Sequence, residues 1–173
     1  MRMQLLFWAG FWAFLIDQVS KYVVVHVMDL AQIYAIDVVP PYLNFRYGEN
    51  TGINFGLFDD GGDTARWILI GFSLVVCIAV YLWVWRTRQD WRMMLSAGFL
   101  IGGALGNVVD RLLYGYVLDF LNMSCCGINN PFVFNIADVF IFAGALGLIV
   151  FDAREGAKTT DNAPKKGQDK NAP

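Results

Sequence analysis

The sequence predicts a membrane protein, mainly α: a four-transmembrane-helix bundle carrying a small extracytoplasmic β-sheet platform. Its 173 residues are 57% hydrophobic and only 16% charged, against roughly 25% charged in an ordinary soluble domain. Four apolar stretches, about residues 5–28, 67–85, 93–113 and 135–151, approach the ~20 residues that a helix needs to cross a bilayer core. The Lys and Arg residues also gather in alternate connections, which is the pattern of a multi-pass chain with its basic loops in the cytoplasm.

The first stretch runs from Leu5 to Met28 and has no small-x-small cleavage site after a short apolar region, so it reads as a retained signal anchor. Asp17 and Lys21 lie four residues apart on one helix face. Each costs about 2.5 to 3.5 kcal/mol within a membrane helix unless it is paired, so they pair with each other or with Asp110 and Arg111. The outer segment that follows, about residues 29–66, sets Arg46 and Arg66 against Asp29, Asp37, Glu49, Asp59, Asp60 and Asp63. Its β-rich piece from Tyr42 to Tyr47, punctuated by Pro40, Pro41, Gly48, Gly52 and Gly56, predicts a sheet on the membrane surface.

The second stretch, Trp67 to Trp85, leads into a connection holding Arg86, Arg88 and Arg92, which places that connection in the cytoplasm. In the third, Met93 to Leu113, Gly98, Gly102 and Gly106 recur every four residues, a small-residue ridge for close helix packing. The second outer segment, about residues 114–134, contains no Lys or Arg. The fourth stretch runs from Asn135 to Phe151, with Phe132, Val133 and Phe134 at the interface before it. Beyond it the chain turns polar and rich in Lys, Pro, Gly and Asn, a composition that cannot bury enough apolar surface to fold. The expected organisation is one four-span domain over residues 1–155 and a disordered cytoplasmic tail over residues 156–173. Both termini are then cytoplasmic.

Composition also excludes several functions. A formal net charge of -2 offers no basic stripe for nucleic acid. His26 is the sole histidine, which rules out a Ser-His-Asp apparatus and any multi-histidine metal site within the chain. The three cysteines, Cys77 and the adjacent Cys125 and Cys126, have no metal or disulfide spacing. No metal and no cofactor are expected.

The topology gathers the carboxylates. The third span climbs from the cytoplasm, so at about 1.5 Å per residue Asp110 lies roughly 25 Å above Met93, near the outer edge of the hydrocarbon. Asp119 lies just beyond that edge. The fourth span descends from outside and presents Asp138 in its first turn. Asn107 with Asp110, and Asn135 with Asp138, repeat one Asn-x-x-Asp pattern that puts each pair on one helix face. Asn135 also suits a helix N-cap, with Asp138 at the third helical position favoured by the dipole.

Two carboxylates close together at an apolar surface cannot both ionise easily, so one keeps its proton. That is the state an aspartic protease uses: the ionised member takes a proton from water while the protonated member supports the developing oxyanion. The residues alone put three aspartates at one level, and the repeated pattern favours Asp110 with Asp138. A small ion-coupled transporter is the alternative, because membrane carboxylates also relay protons. Such a site is expected near the midplane, whereas this cluster sits at the outer edge with no ionisable residue below it to continue a path.

DQVSK from Asp17, ENTGINFG from Glu49, GGALGNVVDR from Gly102, GYVLDF from Gly115 and FNIAD ending at Asp138 together resemble the ordered motifs of bacterial lipoprotein signal peptidase, signal peptidase II. The resemblance spans about residues 5–152. It implies an aspartic endopeptidase of the bacterial inner membrane that cuts prolipoproteins just before their diacylglyceryl-modified cysteine, with its active site at the outer face. It implies Asp119 and Asp138 as the catalytic pair. Asn107, Asp110, Arg111 and Asn135 match motif residues that order the dyad and hold substrate, and Asp17, Lys21, Asn50 and Gly52 match further positions around the site. Asp110 beside Arg111 then reads as an ionised structural partner. The expected partners are diacylglyceryl-prolipoproteins and membrane lipid, not nucleic acid, and the expected working unit is a monomer. Glu49, Ile53 and Asn54 depart from the family's usual Asn-Thr-Gly-Ala-Ala-Phe motif and its common preceding Arg.

Overall fold

The computed structural model describes residues 2–52, 63–87, 90–125 and 130–161. Helix α1 (Arg2–Lys21) continues into a π-helical turn (Tyr22–Val27), a short α2 (Leu30–Ile33) and the strands β1 (Ala35–Val39) and β2 (Leu43–Asn50). Helices α3 (Asp63–Thr87) and α4 (Trp91–Tyr114) follow, then β3 (Val117–Asn122) and α5 (Ile136–Asp161). Among the described residues, three helices are long and apolar enough to cross a membrane: Asp63–Arg86, Trp91–Tyr114 and Ile136–Ala153. Helix α1 has a comparable length of 20 residues but carries Arg2, Asp17 and Lys21.

Helix α4 is the axis of the bundle, packing against α1, α3 and α5. Asp90 caps its start, accepting the Trp91 N–H at 2.7 Å, and Gly115 ends it at φ +90, a left-handed position that a side chain strains. The glycine ridge sets how near α1 can come. A Cβ on Gly98 would stand 2.6 Å from the Leu6 carbonyl oxygen, and one on Gly102 would run into the Gly10 backbone. On the other side of α4, a Cβ on Gly103 would meet the Ala137 carbonyl oxygen at 2.5 Å, so α5 is held equally close. Far from the site, Leu6, Val84, Met93, Met94, Ala97, Leu100 and Leu148 make the main apolar core.

The sheet is antiparallel in the order β1-β2-β3. Asp37 faces Asn44 across the first pair, and Gly48 faces Asp119 across the second. Phe120 anchors it, buried with Val24 of the π-helical turn and Leu30 of α2 and set edge-on to Phe45 at 5.7 Å.

Three elements differ from the sequence reading. The first apolar stretch does not stay α-helical to Met28, since its last turn widens to π geometry over Tyr22–Val27. The second outer segment supplies a strand, β3, that carries no alternation, because both of its faces are covered and five of its six residues are buried. Helical backbone also runs to Asp161, past the expected boundary at residue 155. Ala, Arg, Glu and Lys are strong helix formers, and one glycine among them costs only about 1 kcal/mol. Residues 162–173 of the expected tail lie outside the described residues, as do Ile53, Asn54 and Cys126.

Candidate active site

Asp119 and Asp138 reach one place by two different routes. Asp119 sits in β3, fully covered at 3% exposure, with its backbone opposite Gly48 of β2. Directly after it, Leu121 and Phe134 form a one-residue bridge: the N–H groups of Phe120 and Leu121 donate to the Phe134 carbonyl at 3.1 and 2.8 Å, and Phe134 N–H donates back to Leu121 at 3.0 Å. That bridge delivers Asn135, and with it the start of α5, to the strand that carries Asp119.

Asn135 and Asp138 then cap α5 reciprocally. Asp138 N–H donates to Asn135 Oδ1 at 3.0 Å and Asn135 N–H donates to Asp138 Oδ2 at 3.3 Å, so the capping role expected of this pair is present. Capping and the site coincide, because Asn135 Nδ2 also donates to Asp119 Oδ1 at 2.5 Å. One buried amide therefore touches both aspartates. Asn50 Nδ2 donates to Asp119 Oδ2 at 3.0 Å, and Asn107 Nδ2 donates to Asp138 Oδ1 at 2.9 Å.

The two carboxylates differ in setting. Burial, and then the negative charge of Asp138, push the Asp119 carboxyl up to about 6, while the Asn135 and Asn50 amides and the Lys21 charge pull the other way. Asp138 is only half-buried and receives two donors. Such an arrangement suits one proton shared by the pair.

A ring of buried charge stands behind the pair. Lys21 Nζ lies 2.8 Å from Asp17 and 2.7 Å from Asp110, and it donates to Asn107 Oδ1 at 3.2 Å. Asp110 is thus paired with Lys21 and not with Arg111, which corrects the expectation drawn from their adjacency. Successive helical residues point about 100° apart, so Arg111 turns away, donates to the Asn107 carbonyl at 3.3 Å and stands within electrostatic reach of Asp138, Asp110 and Asp119. The Asp110–Asp138 pairing favoured by the repeated pattern is also not the arrangement found, since the Asp110 oxygens are taken by Lys21, Leu118 N–H and Gln18. Gln18 was not singled out from the sequence, although a polar residue inside an apolar run was the available signal. It donates to Asp17 at 3.1 Å and to Asp110 at 3.0 Å.

A cavity of about 470 Å³ opens over Asp119, lined by residues 48–52 and 131–133. Gly52 lies on its wall at φ +82, where a Cβ would collide with Leu69 and come within 3.4 Å of the Arg111 guanidinium. A second, mostly apolar cavity of about 260 Å³ lies between α3, α4 and α5, with Ser73, Asn107 and Arg111 as its polar members beside Phe72, Val76, Leu100 and Ile141. Asn107 therefore borders an apolar groove and contacts Asp138 at once. Among the described residues no group of His, Cys, Asp and Glu is placed to hold a metal ion.

Comparison with known proteins gives one consistent result. A family model described as "Signal peptidase (SPase) II" matches residues 10–153. The lipoprotein signal peptidase of Alteromonas mediterranea is 38% identical over 155 residues, covering 89% of this chain and 83% of the relative. That of Shewanella amazonensis is 37% identical over 163 residues, covering 92% and 93%. Two solved structures, both titled as bacterial membrane enzyme structures obtained by the in meso method, align with TM-scores of 0.69 and 0.68 at 25% and 27% identity. The first covers 92% of each chain, the second 82% of this chain and 88% of its own.

Proposed function

The chain belongs to the signal peptidase II family and has its function, that of a bacterial membrane peptidase acting on lipoprotein precursors, and from that premise we propose an aspartic mechanism run by Asp119 and Asp138. The observation that carries this reading is that Asn135 reaches both carboxylates, its side-chain amide donating to Asp119 and its backbone N–H to Asp138, with Asp119 raised to about 6 beside Asp138. In the reactive form the pair holds one proton, carried on Asp119. Asp138 takes a proton from water as the water oxygen bonds to the scissile carbonyl carbon, and Asp119 gives its proton to the carbonyl oxygen. Collapse breaks the C–N bond, Asp138 passes its proton to the departing amine, and Asp119 recovers one from the tetrahedral hydroxyl. No covalent intermediate forms.

The substrate is a diacylglyceryl-prolipoprotein cut just before its lipidated cysteine. Its chain lies over the cavity walled by the end of β2, near Asn50 and Gly52. Side chains preceding the cut occupy the apolar groove between α3, α4 and α5, where Asn107 and Arg111 meet the peptide backbone. Helix α1 is the fourth span: its charges face Asp110 and Asn107 inside the bundle while Phe7, Trp8, Phe11 and Trp12 are exposed outward, as a lipid-facing helix requires. With both termini cytoplasmic, the dyad lies at the outer face of the inner membrane. The four-span domain, whose last helix continues to Asp161, works as a monomer and is followed by a cytoplasmic tail.

A dyad at lipid level predicts that cleavage depends on the diacylglyceryl group. Purified protein is given lipidated and unlipidated forms of one precursor, read by gel shift and by the new N-terminus. The lipidated form is expected to be cut at least about a hundredfold faster, because anchoring positions the scissile bond. Equal rates for the two forms contradict the reading.

A further inference from the structure

Resting on the dyad reading above, we propose that Asp17, Lys21 and Asp110 form a buried bracket that fixes the separation of Asp119 and Asp138, acting through the backbone and not through substrate. Asp17 Oδ1 accepts the N–H of Ala137 at 2.8 Å, and Ala137 immediately precedes Asp138. Asp110 Oδ2 accepts the N–H of Leu118 at 3.1 Å, and Leu118 immediately precedes Asp119. Each bracket carboxylate therefore grips the chain one residue before a dyad carboxylate. Lys21 ties the two grips together at 2.8 and 2.7 Å, and Gln18 ties them a second time.

The ammonium has three protons and three acceptors, Asp17, Asp110 and Asn107 Oδ1. The third contact sets the Asn107 amide: with Oδ1 turned to Lys21, Nδ2 must face Asp138, where it donates at 2.9 Å. Space has been made for the arrangement, since a Cβ on Gly106 would stand 2.7 Å from Asp17 Oδ2. Asp17, Lys21 and Asp110 are 0%, 2% and 1% exposed, so none is placed to touch substrate. As for the charges, apolar residues of similar volume often replace a buried ion triad without unfolding the chain. What an apolar triad cannot supply is an acceptor for the Ala137 and Leu118 N–H groups.

The test uses the full chain in detergent, with a diacylglyceryl precursor as probe and kcat separated from KM. The variant D17L/K21M/D110L removes charges and acceptors together. It is expected to fold, to keep KM within about twofold and to lose at least about a hundredfold in kcat, the scale of an ångström misplacement of reacting groups. Turnover at the unaltered rate, or a loss confined to KM, overturns the bracket. If that variant does not fold, Asp110→Asn decides: its amide oxygen still accepts Leu118 N–H, so kcat is expected within about tenfold of the unaltered protein. A hundredfold loss there overturns the backbone role and makes the Asp110 charge itself essential. Asp119→Asn and Asp138→Asn run alongside. Turnover by either of these refutes the dyad reading, whereas their inactivity beside a fully active triple variant refutes the bracket alone.

Discussion

Helices α1 and α4 meet along one seam that is built in two ways. In its lower part the contact is backbone on backbone: Gly10 against Gly98 and Gly102, with Ala9 and Leu6 beside them. In its upper part the same two helices meet through Asp17, Lys21, Asn107 and Asp110. Gly106 is the hinge between these modes, since it belongs to the glycine ridge by spacing yet makes room for the Asp17 carboxylate. The lower seam specifies distance by shape alone. The upper seam specifies direction as well, because every partner in it is a donor or acceptor whose angle matters. Positional accuracy is concentrated at the end where chemistry is proposed.

The sharpest way to break this contrast is at the lower seam. Gly102→Val puts three carbons where the Gly10 backbone already stands, and backbone cannot yield as a flexible side chain can. We expect a loss of about 3 kcal/mol or more and a strongly lowered melting midpoint in detergent. A variant that melts with the unaltered protein contradicts the view that backbone contact holds the seam.

A smaller effect is expected at the upper end, in the pH profile. Asn50 donates to Asp119 and favours its ionised form, so Asn50→Ala lets Asp119 keep its proton to a higher pH than about 6. The alkaline limb of kcat/KM, which reports loss of that proton from the pair, is expected to move upward. A downward move contradicts the assignment of the proton to Asp119.

The same contrast marks what was legible in the sequence. The glycine ridge and the Asn135–Asp138 cap are local patterns, three or four residues long, and both stand in the fold as read. The gathering of Asp110, Asp119 and Asp138 at one level followed from helix rise and topology. The partner of Asp110 was legible only as one of two alternatives: Arg111 is its neighbour in sequence, and Lys21, the other candidate, reaches it from α1 across the bundle. Strand β3 was not legible, since VLDFLN is buried on both faces and shows no alternation. Choosing Asp119 over Asp110 needed the resemblance, because the bridge from Leu121 to Phe134 that brings Asp119 to α5 leaves no local signature.

The central claim is that Asp119 and Asp138 act as one catalytic pair. The most direct measurement is single-turnover cleavage of a diacylglyceryl precursor by purified Asp119→Asn and Asp138→Asn proteins, each first confirmed as folded in detergent. Both are expected to lose at least about a thousandfold in rate, and the double variant to be no worse than either single one, because members of one catalytic unit are not additive. Turnover near that of the unaltered protein by either single variant would contradict the account.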